Sequence, residues 1–417
     1  MRQWNAGRND SRRPDESQAT SEHLALSTLP TNPPKTEAIT LSGLLKRSKT
    51  NKRPIPDIPP PPRPTMTAKA WKDGTPPPEF IINLDLPPTQ RWAEAVNWGT
   101  KPLQDMVSKI QAPTGAYVWE NEIMRHIERR YSFSNEQYEE MQGISAVSGI
   151  PFHMIMEYNL GLNSQFGCTS GTVPLIHSKK LLHFRALDPT YAMPHLLIQA
   201  HFVRRDELVA SALMHLGHVA IVTGVRQGLS ISLNTRDSYD RFEGVQKFVT
   251  RLSWALWDPW FITIRDLLLR ERLPSLRTAK RELTSGHPEA SFAVISDGTD
   301  AAALDVRWKD GSIWRDTQNG VLVQGNHYAD GQKNEVFLSA MMPGYSQRTT
   351  RSQNRVYKLK GDIDRSMQRS DGAGAKLPDV ISWISSQPVR HDVTTLACVM
   401  DPTEGDIIWS AAYRGRS

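Results

Sequence analysis

The sequence predicts an α+β protein in which a helical segment is followed by many short strands. Between residue 89 and Asn163, apolar residues recur every three to four positions, which is the spacing of one helix face. After Cys168, short segments alternate in polarity or run apolar, with many β-branched residues, as strands do. Residues 1–75 lack such periodicity, so we predict that they form a disordered tail.

The tail is basic and rich in proline. Its excess of Lys and Arg over Asp and Glu equals the formal net charge of the whole chain, +6. The rest of the chain is therefore near neutral, and we expect no binding of nucleic acid by the folded part. The basic run at residues 46–53 has three open interpretations: contact with anionic lipid at a membrane surface, a nuclear address, or a solvated arm beside the polyproline stretch at 54–64.

Residues 76–167 form the helical segment. One helical face, with breaks near Gly99 and Pro102, holds the apolar residues Trp92, Val96, Leu103, Val107 and Ile110. Ile123 and Ile127 continue the pattern. The sequence Ser134-Asn135-Glu136-Gln137 is a capping box for a helix that we expect to end near Gly143. Pro151 suits the first turn of another helix, which we expect to run to about Tyr158.

Residues 168–417 form the strand-rich segment, which two helical stretches at 240–283 and 377–386 interrupt. The predicted strands are 181–187, 196–204, 208–214, 218–223, 229–234, 291–296, 302–307, 312–315, 320–325, 394–400 and 406–413. The segment begins with a hairpin. If its turn centres near residues 177–179, antiparallel pairing places Cys168 opposite residues 187–189. A thiol, the cation of Arg185 and the carboxylate of Asp188 are then neighbours.

Several motifs around this hairpin resemble one known family. They are Phe166-Gly167-Cys168-Thr169-Ser170 with Arg185-x-x-Asp188 after it, the proline-flanked LDLPPTQRW at 84–92, VTGVRQGLSISLN at 222–234, QGNHYAD at 324–330, and the last hairpin from Val393 to Gly405. The chain resembles the N-terminal-nucleophile hydrolases of the acid ceramidase, N-acylethanolamine acid amidase and cholylglycine hydrolase group. The resemblance covers roughly residues 76–415.

The resemblance implies a fold and a mechanism. The fold would be an αββα sandwich, with residues 76–167 similar to the family's alpha subunit and 168–417 to its beta subunit. The peptide bond between Gly167 and Cys168 would be cut autocatalytically, and the two fragments would stay associated. The new α-amine would act as base for the Cys168 thiol, because an α-amine titrates near pH ~7.7–8. This chemistry needs no cofactor and no metal ion.

The resemblance also assigns roles at the site. Cys168 would form a thioester with the acyl group of an N-acyl lipid, of which ceramide is the first expectation and an N-acylethanolamine the second. Asp188 would orient the α-amine and Arg185 would polarise the site, since a guanidinium in an apolar strand needs a carboxylate or substrate partner. Asn326, with Asn234 as second donor, would hold the oxyanion. For the family's late arginine we prefer Arg348 to Arg351.

Other readings of these residues remain open. Cys168 could be a small core residue, and Asp188 with Pro189 could be a plain turn. The protein could be a catalytically dead homologue that binds lipid or protein. It could also be a cysteine peptidase that uses a histidine, for which the candidates are His183, His215, His218 and His327. A papain-like signature is missing, so we expect these histidines to be structural.

The cellular location is predicted from what the chain lacks. Two cysteines do not make a disulfide framework, the N-terminus has no apolar signal segment, and the only Asn-x-Ser/Thr sequon is Asn9-Asp10-Ser11. We therefore expect an intracellular protein, located in the cytoplasm. A lysosomal or vacuolar compartment is the alternative that the family resemblance implies.

Overall fold

The computed structural model describes residues 72–114, 133–161, 166–189, 194–235, 260–285, 291–307, 311–317, 319–327 and 345–415. Residues 1–71 of the predicted tail therefore lie outside the described residues. The predicted helical positions Ile123 and Ile127 and the first part of the stretch 240–283 also lie outside them. No helix in the described ranges is long and apolar enough to cross a membrane.

The helices largely follow the sequence signals. They are α1 (Ala93–Thr114), α2 (Asn135–Ser148), α3 (Phe152–Gly161), α4 (Trp260–Leu269), α5 (Leu276–Thr284), α6 (Tyr345–Arg369) and α7 (Leu377–Ser385). The predicted break at Gly99 is confirmed by its non-helical backbone, with φ −113° and ψ 22°. Ser134 forms the predicted capping box of α2. The predicted end near Gly143 is wrong, because α2 continues to Gly149, whose left-handed backbone (φ 70°) terminates it.

The strands form two sheets. They are β1 (Glu79–Asn83), β2 (Phe166–Pro174), β3 (Leu181–Pro189), β4 (Leu197–Arg204), β5 (Glu207–His215), β6 (Thr223–Arg226), β7 (Leu229–Thr235), β8 (Ser291–Ser296), β9 (Ala301–Arg307), β10 (Gly311–Asp316), β11 (Leu322–Gln324), β12 (Leu396–Asp401) and β13 (Asp406–Ala412). The larger sheet has the order β1-β4-β5-β6-β7-β8-β9-β10, and the smaller sheet has the order β11-β2-β3-β12-β13. β1 pairs with β4 in parallel.

The predicted strand 218–223 is wrong. Residues 218–222 are irregular, and β6 begins at Thr223. The segment is apolar because it is buried, and side chains make the hydrogen bonds that a neighbouring strand would otherwise make. The Val219 amide donates to Asn159 Oδ1 (2.8 Å), and its carbonyl accepts from the Arg265 guanidinium (2.5 Å). Burial alone therefore produced a strand-like sequence here.

The two sheets pack face to face between helices. Side chains alternate along each strand, so in β3 His183, Arg185 and Leu187 point toward the larger sheet while Phe184 and Ala186 point away. The outward side chains form a second apolar cluster with Val356, Leu359 and Ile363 of α6 and Val380 and Ile384 of α7. On the other side, Ile264, Leu267 and Leu268 of α4 and Leu283 of α5 belong to the main core, together with Ile231 and Ile295 of the larger sheet. The predicted α+β class and αββα sandwich are confirmed.

Helix α6 was not predicted. Its exposed face is strongly polar, but Ser352, Val356, Leu359 and Ile363 are buried at intervals of four, three and four residues. That spacing is helical, so the signal was present in the sequence. It matters because α6 covers the end of the smaller sheet near Cys168.

A substitution at Gly143 tests the packing of α2 against the short 3₁₀ turn at Pro88–Gln90. A Cβ at Gly143 would lie 2.0 Å from the carbonyl oxygen of Thr89, so Gly143→Ala should lower the free energy of unfolding by about 1–3 kcal/mol. The control is Gly361→Ala in α6, where the nearest atom within 4 Å is Arg365 Nη1 at 3.4 Å. That change should raise the free energy of unfolding by up to ~1 kcal/mol. Chemical denaturation checks both, and equal effects of the two changes would contradict the packing.

Candidate active site

The site is built on the β2–β3 hairpin. Cys168 pairs with Leu187 and Gly167 pairs with Asp188, so the thiol residue lies within the neighbourhood that the turn position predicted. The turn is closed by the bonds from Leu175 N to Lys180 O (2.9 Å) and from Ser178 N to Leu175 O (3.1 Å). The register follows from the turn, and it places the bond before Cys168 beside Asp188.

The side chains of the site lie on both faces of the smaller sheet. The Cys168 thiol and Arg185 point into the space between the sheets, where Arg185 Nη2 donates to Cys168 Sγ at 3.0 Å. Successive side chains of a strand point to opposite faces, so Asp188, one residue from Leu187 and three from Arg185, points away from both and toward α6. The main-chain nitrogen of Cys168 lies between the two faces. Cys168 therefore contacts Arg185 through its thiol, and its main-chain nitrogen contacts Asn326.

Arg185 is fully buried, and its contacts differ from the expectation. The guanidinium donates to the carbonyl oxygens of Val222 and Leu233 and to the Thr223 hydroxyl. Within the described residues it forms no ion pair with Asp188, whose cation is supplied by another arginine. The carbonyl oxygens solvate the charge without neutralising it, so Arg185 keeps its positive charge beside the sulfur.

The Cys168 thiol is fully buried in the uncut chain. Burial raises the pKa of this thiol above its ordinary value, although the nearby charge of Arg185 acts in the opposite direction. The thiol is therefore protonated at neutral pH in this form of the chain. A base is required before the sulfur can act as a nucleophile.

Asn326 holds the nitrogen of Cys168. It follows β11 and is 7% exposed, and its Oδ1 accepts a hydrogen bond of 2.8 Å from Cys168 N. Asn326 is itself held by α6, because its main-chain N–H donates to Ser352 Oγ at 2.8 Å. The structure therefore places Asn326 next to Cys168.

Asn234 lies on β7, and its side chain forms hydrogen bonds with residues of β11 and β2. Its Nδ2 donates to Gln324 O (3.0 Å), and its Oδ1 accepts from Ser170 Oγ (3.0 Å). These contacts fix the orientation of the amide, and since Nδ2 carries two N–H groups, they leave the expected role of second oxyanion donor a prediction.

Asp188 contacts three side chains of the site. Its Oδ1 accepts from Thr394 Oγ1 at 2.6 Å, and its Oδ2 contacts His391 Nε2 at 3.0 Å and forms an ion pair with Arg355. Burial alone would raise the pKa of this carboxyl, but Arg355, His391 and Thr394 together hold it below the ordinary value. Asp188 is therefore ionised at neutral pH.

Arg355 is the arginine of α6 that contacts the site. Of the two candidates for the family's late arginine, Arg348 has its side chain outside the described part of the structure, and Arg351 is exposed. Arg355 is 5% exposed, and its Nη2 also lies 3.5 Å from Asn326 Oδ1. The helical period of α6 could have identified it, because Arg355 lies on the same side of α6 as the buried Ser352 and Val356. His391 and Thr394 had no signal of their own and were missed.

The histidines that suggested a cysteine peptidase are engaged elsewhere. His183 bonds Ser230 Oγ and Ser232 Oγ through its two ring nitrogens, both at 2.8 Å, so neither nitrogen is left for the Cys168 thiol. Burial lowers the pKa of His183 to about 3 and the pKa of His327 to about 4. The same cause lowers the pKa of His215 to about 3 and that of His218 to about 4. All four rings are therefore neutral and poor proton acceptors near neutral pH.

No group of three or more His, Cys, Asp or Glu side chains in the described ranges is arranged to hold a metal ion. The arrangement offers instead a buried thiol beside a cation, a backbone nitrogen fixed by an amide side chain, and an ionised carboxylate on the neighbouring strand. Such a set can make a nucleophile and stabilise an oxyanion once a base is available.

Comparisons with known proteins relate the chain to one family. Residues 75–131 match the family model described as the beta subunit of N-acylethanolamine-hydrolyzing acid amidase. Acid ceramidase of Rattus norvegicus is 30% identical over 361 residues, which cover 79% of this chain and 84% of that protein. Acid ceramidase of Bos taurus is 30% identical over 362 residues, or 79% and 85%. The solved structure of a Caenorhabditis elegans N-acylethanolamine-hydrolyzing acid amidase ortholog is 20% identical, with a TM-score of 0.45, and the match covers 59% of this chain and 99% of that one.

Proposed function

This chain belongs to the acid ceramidase and N-acylethanolamine acid amidase family, and from that premise we propose that it hydrolyses the amide bond of ceramide through a thioester on Cys168. It is an amide hydrolase of N-acyl lipids. The finer proposal concerns how the thiol becomes active and which residues serve it. Its support is the geometry of the β2–β3 hairpin and the residues that contact it.

Activation begins with cleavage of the Gly167–Cys168 bond. The Cys168 sulfur attacks the Gly167 carbonyl carbon, the amide C–N bond breaks, and the thiol proton passes to the departing nitrogen. Water then hydrolyses the resulting thioester, which frees the Gly167 carboxylate and regenerates the thiol. The products are the fragments 1–167 and 168–417, and the nitrogen of Cys168 is now an α-amine. Pairing of β1 with β4, across the two fragments, supports their continued association.

The α-amine supplies the base that the buried thiol needs. Its nitrogen occupies the position that Asn326 Oδ1 holds at 2.8 Å in the uncut chain. Asp188, on the strand position opposite Gly167, orients the amine as its positive charge develops. The amine takes the proton of Cys168, and Arg185, 3.0 Å from the sulfur, stabilises the thiolate.

Turnover then follows the same chemistry on a lipid. The thiolate attacks the acyl carbonyl of the N-acyl lipid, and the Nδ2 group of Asn326 stabilises the oxyanion. The α-amine returns its proton to the leaving nitrogen, so that the amine product departs from a thioester on Cys168. Water releases the fatty acid. Asn234 is the candidate for a second donor in this scheme, since its Nδ2 carries two N–H groups and the contact with Gln324 O uses one of them.

The observation that carries the proposal is the double contact of Cys168, whose thiol meets Arg185 and whose nitrogen meets Asn326. A small core cysteine requires neither contact. A second candidate substrate is an N-acylethanolamine, which the family match over residues 75–131 favours. The cellular location and any membrane contact of the tail stay predictions.

The test follows scission and turnover together on the purified wild-type chain. Intact mass is recorded during incubation from acidic to neutral pH, and each sample is assayed with a fluorogenic N-acyl amide, a ceramide and an N-acylethanolamine. We expect activity to rise in step with the appearance of the two fragments, and ceramide to be the better substrate. Full turnover by uncut chain would refute the mechanism, and cleaved chain with no turnover of any N-acyl amide would refute the function.

A further inference from the structure

The loop before β12 places one imidazole ring against both charged groups of the Asp188–Arg355 ion pair. His391 Nε2 lies 3.0 Å from Asp188 Oδ2 and 2.9 Å from Arg355 Nη1. A carboxylate only accepts hydrogen bonds and a guanidinium only donates them. One ring nitrogen therefore satisfies one neighbour and not the other, and its protonation state decides which.

The contact of the second ring nitrogen indicates whether Nε2 bonds Asp188 or Arg355. His391 Nδ1 faces the main-chain N–H of Val393 at 3.5 Å, so the lone pair of a neutral ring belongs on Nδ1 and the hydrogen on Nε2. The ring then donates to Asp188. The loop is also fixed from its main chain, because His391 N donates to Thr394 Oγ1 at 3.0 Å, and that hydroxyl donates to Asp188 Oδ1. Two residues of one loop thus bind both oxygens of the carboxylate.

His391 differs from its neighbours in its exposure. Its side chain is 32% exposed, whereas the side chains of Asp188 and Arg355 are 3% and 7% exposed. The charges that face the ring are Asp188 from β3 and Arg355 from α6. On its own loop, Arg390 is turned to Asp73 (3.2 Å) and stacks on Tyr413, and Asp392 is the other charged residue. His391 is therefore the member of this cluster that solvent protons reach.

We propose that His391 is a positioning residue, whose neutral Nε2–H form holds the Asp188 carboxylate in the orientation that serves the α-amine of Cys168. The inference rests on the proposed function and adds a residue to it. Protonation of the ring would place an N–H at Nδ1 against the N–H of Val393 and a second cation against Arg355. Both contacts are unfavourable, so the carboxylate would be held less firmly and turnover would fall.

The test uses two replacements at one position. His391→Gln keeps an N–H donor near the place of Nε2 but cannot titrate, and His391→Leu keeps the bulk and removes the donor. A hydrogen bond to a charged group contributes enough that His391→Leu should lower kcat roughly 10- to 100-fold, with little change in KM. His391→Gln should restore most of kcat at neutral pH. His153→Leu, which changes an exposed histidine of α3, should leave activity unchanged.

Rescue by the conservative variant separates positioning from a purely structural role. Thermal unfolding of each variant shows whether it is folded. Equal kcat in the wild type and a folded His391→Leu protein would overturn the proposal, as would a folded His391→Gln protein no more active than His391→Leu.

One measurement does not depend on activity. In the Cys168→Ala chain, the nitrogen chemical shifts of histidine should show the Nε2–H tautomer for His391 at neutral pH, assigned by loss of the signal in Cys168→Ala/His391→Gln. An Nδ1–H tautomer would refute the positioning role even if the enzyme is active. If the Nε2–H tautomer is present but the enzyme turns over no N-acyl amide, the proposed function is refuted and the contact of His391 with Asp188 stands.

Discussion

Replacing Cys168 with alanine is expected to abolish both scission of the Gly167–Cys168 bond and turnover of N-acyl amides. The sulfur is the attacking atom in both reactions, since the Cys168 thiol contacts Arg185 and the nitrogen of the same residue contacts Asn326. Without scission the α-amine is never formed. The loss of kcat/KM should therefore be at least about 10³-fold, as expected when a covalent nucleophile is removed.

The matched control is Cys398→Ala. Cys398 is also fully buried, and its position on β12 pairs with Arg185, so its thiol faces the same layer between the sheets. Burial raises the pKa of its thiol to about 12, which leaves it unreactive. Intact mass and the fluorogenic assay should show a cleaved and active Cys398→Ala protein. Two fragments from the Cys168→Ala chain would contradict the assignment of the nucleophile.

The second large effect is expected from the buried ion pair of Asp188 and Arg355. Arg355→Met removes the guanidinium and leaves the carboxylate buried, which should lower the free energy of unfolding by about 3–5 kcal/mol. The double variant Asp188→Asn/Arg355→Met should recover part of this loss, since no unpaired charge remains. Arg351→Met changes an exposed arginine of the same helix, and it should alter stability by no more than about 0.5 kcal/mol.

The same pair sets a pH dependence of stability. The pKa of Asp188 is lower in the folded protein than its ordinary value, mainly because Arg355 and the hydrogen bonds outweigh burial. Its contribution to stability is therefore fully present above the unfolded pKa of about 3.9 and is lost as pH falls through the lower folded pKa. Arg355→Met raises that folded pKa toward the unfolded value, so the variant should lose less stability than the wild type as pH falls through this range.

Chemical denaturation across acidic pH checks both statements, and activity assays follow the same variants. Arg355→Met should also lose turnover, because the carboxylate that orients the α-amine loses its main partner. A variant as stable as the wild type at every pH would contradict the ion pair. Additive effects of the two single changes would show that the side chains act independently.

Local chemistry in the sequence determined much of this protein. The turn after Leu175 and the alternation of β2 and β3 are local features, so the pairing of Cys168 with Leu187 could be predicted closely. The capping box at Ser134 and the break at Gly99 are also local, and both were predicted. The C-terminal end of α2 and the irregular segment 218–222 were not, because burial against distant elements imitates or extends a local pattern.

Tertiary structure alone decided which side chains meet. Asp188 and Arg185 are three residues apart, yet the sheet points them to opposite faces, so Asp188 pairs with Arg355 from a helix 167 positions away in the chain. Arg185 donates to the carbonyl oxygen of Leu233 in the other sheet, and His391 and Thr394 reach Asp188 from the loop before β12. No local pattern encodes these contacts, because they depend on how α6 and the two sheets pack, and that packing is set by buried surface summed over the whole chain.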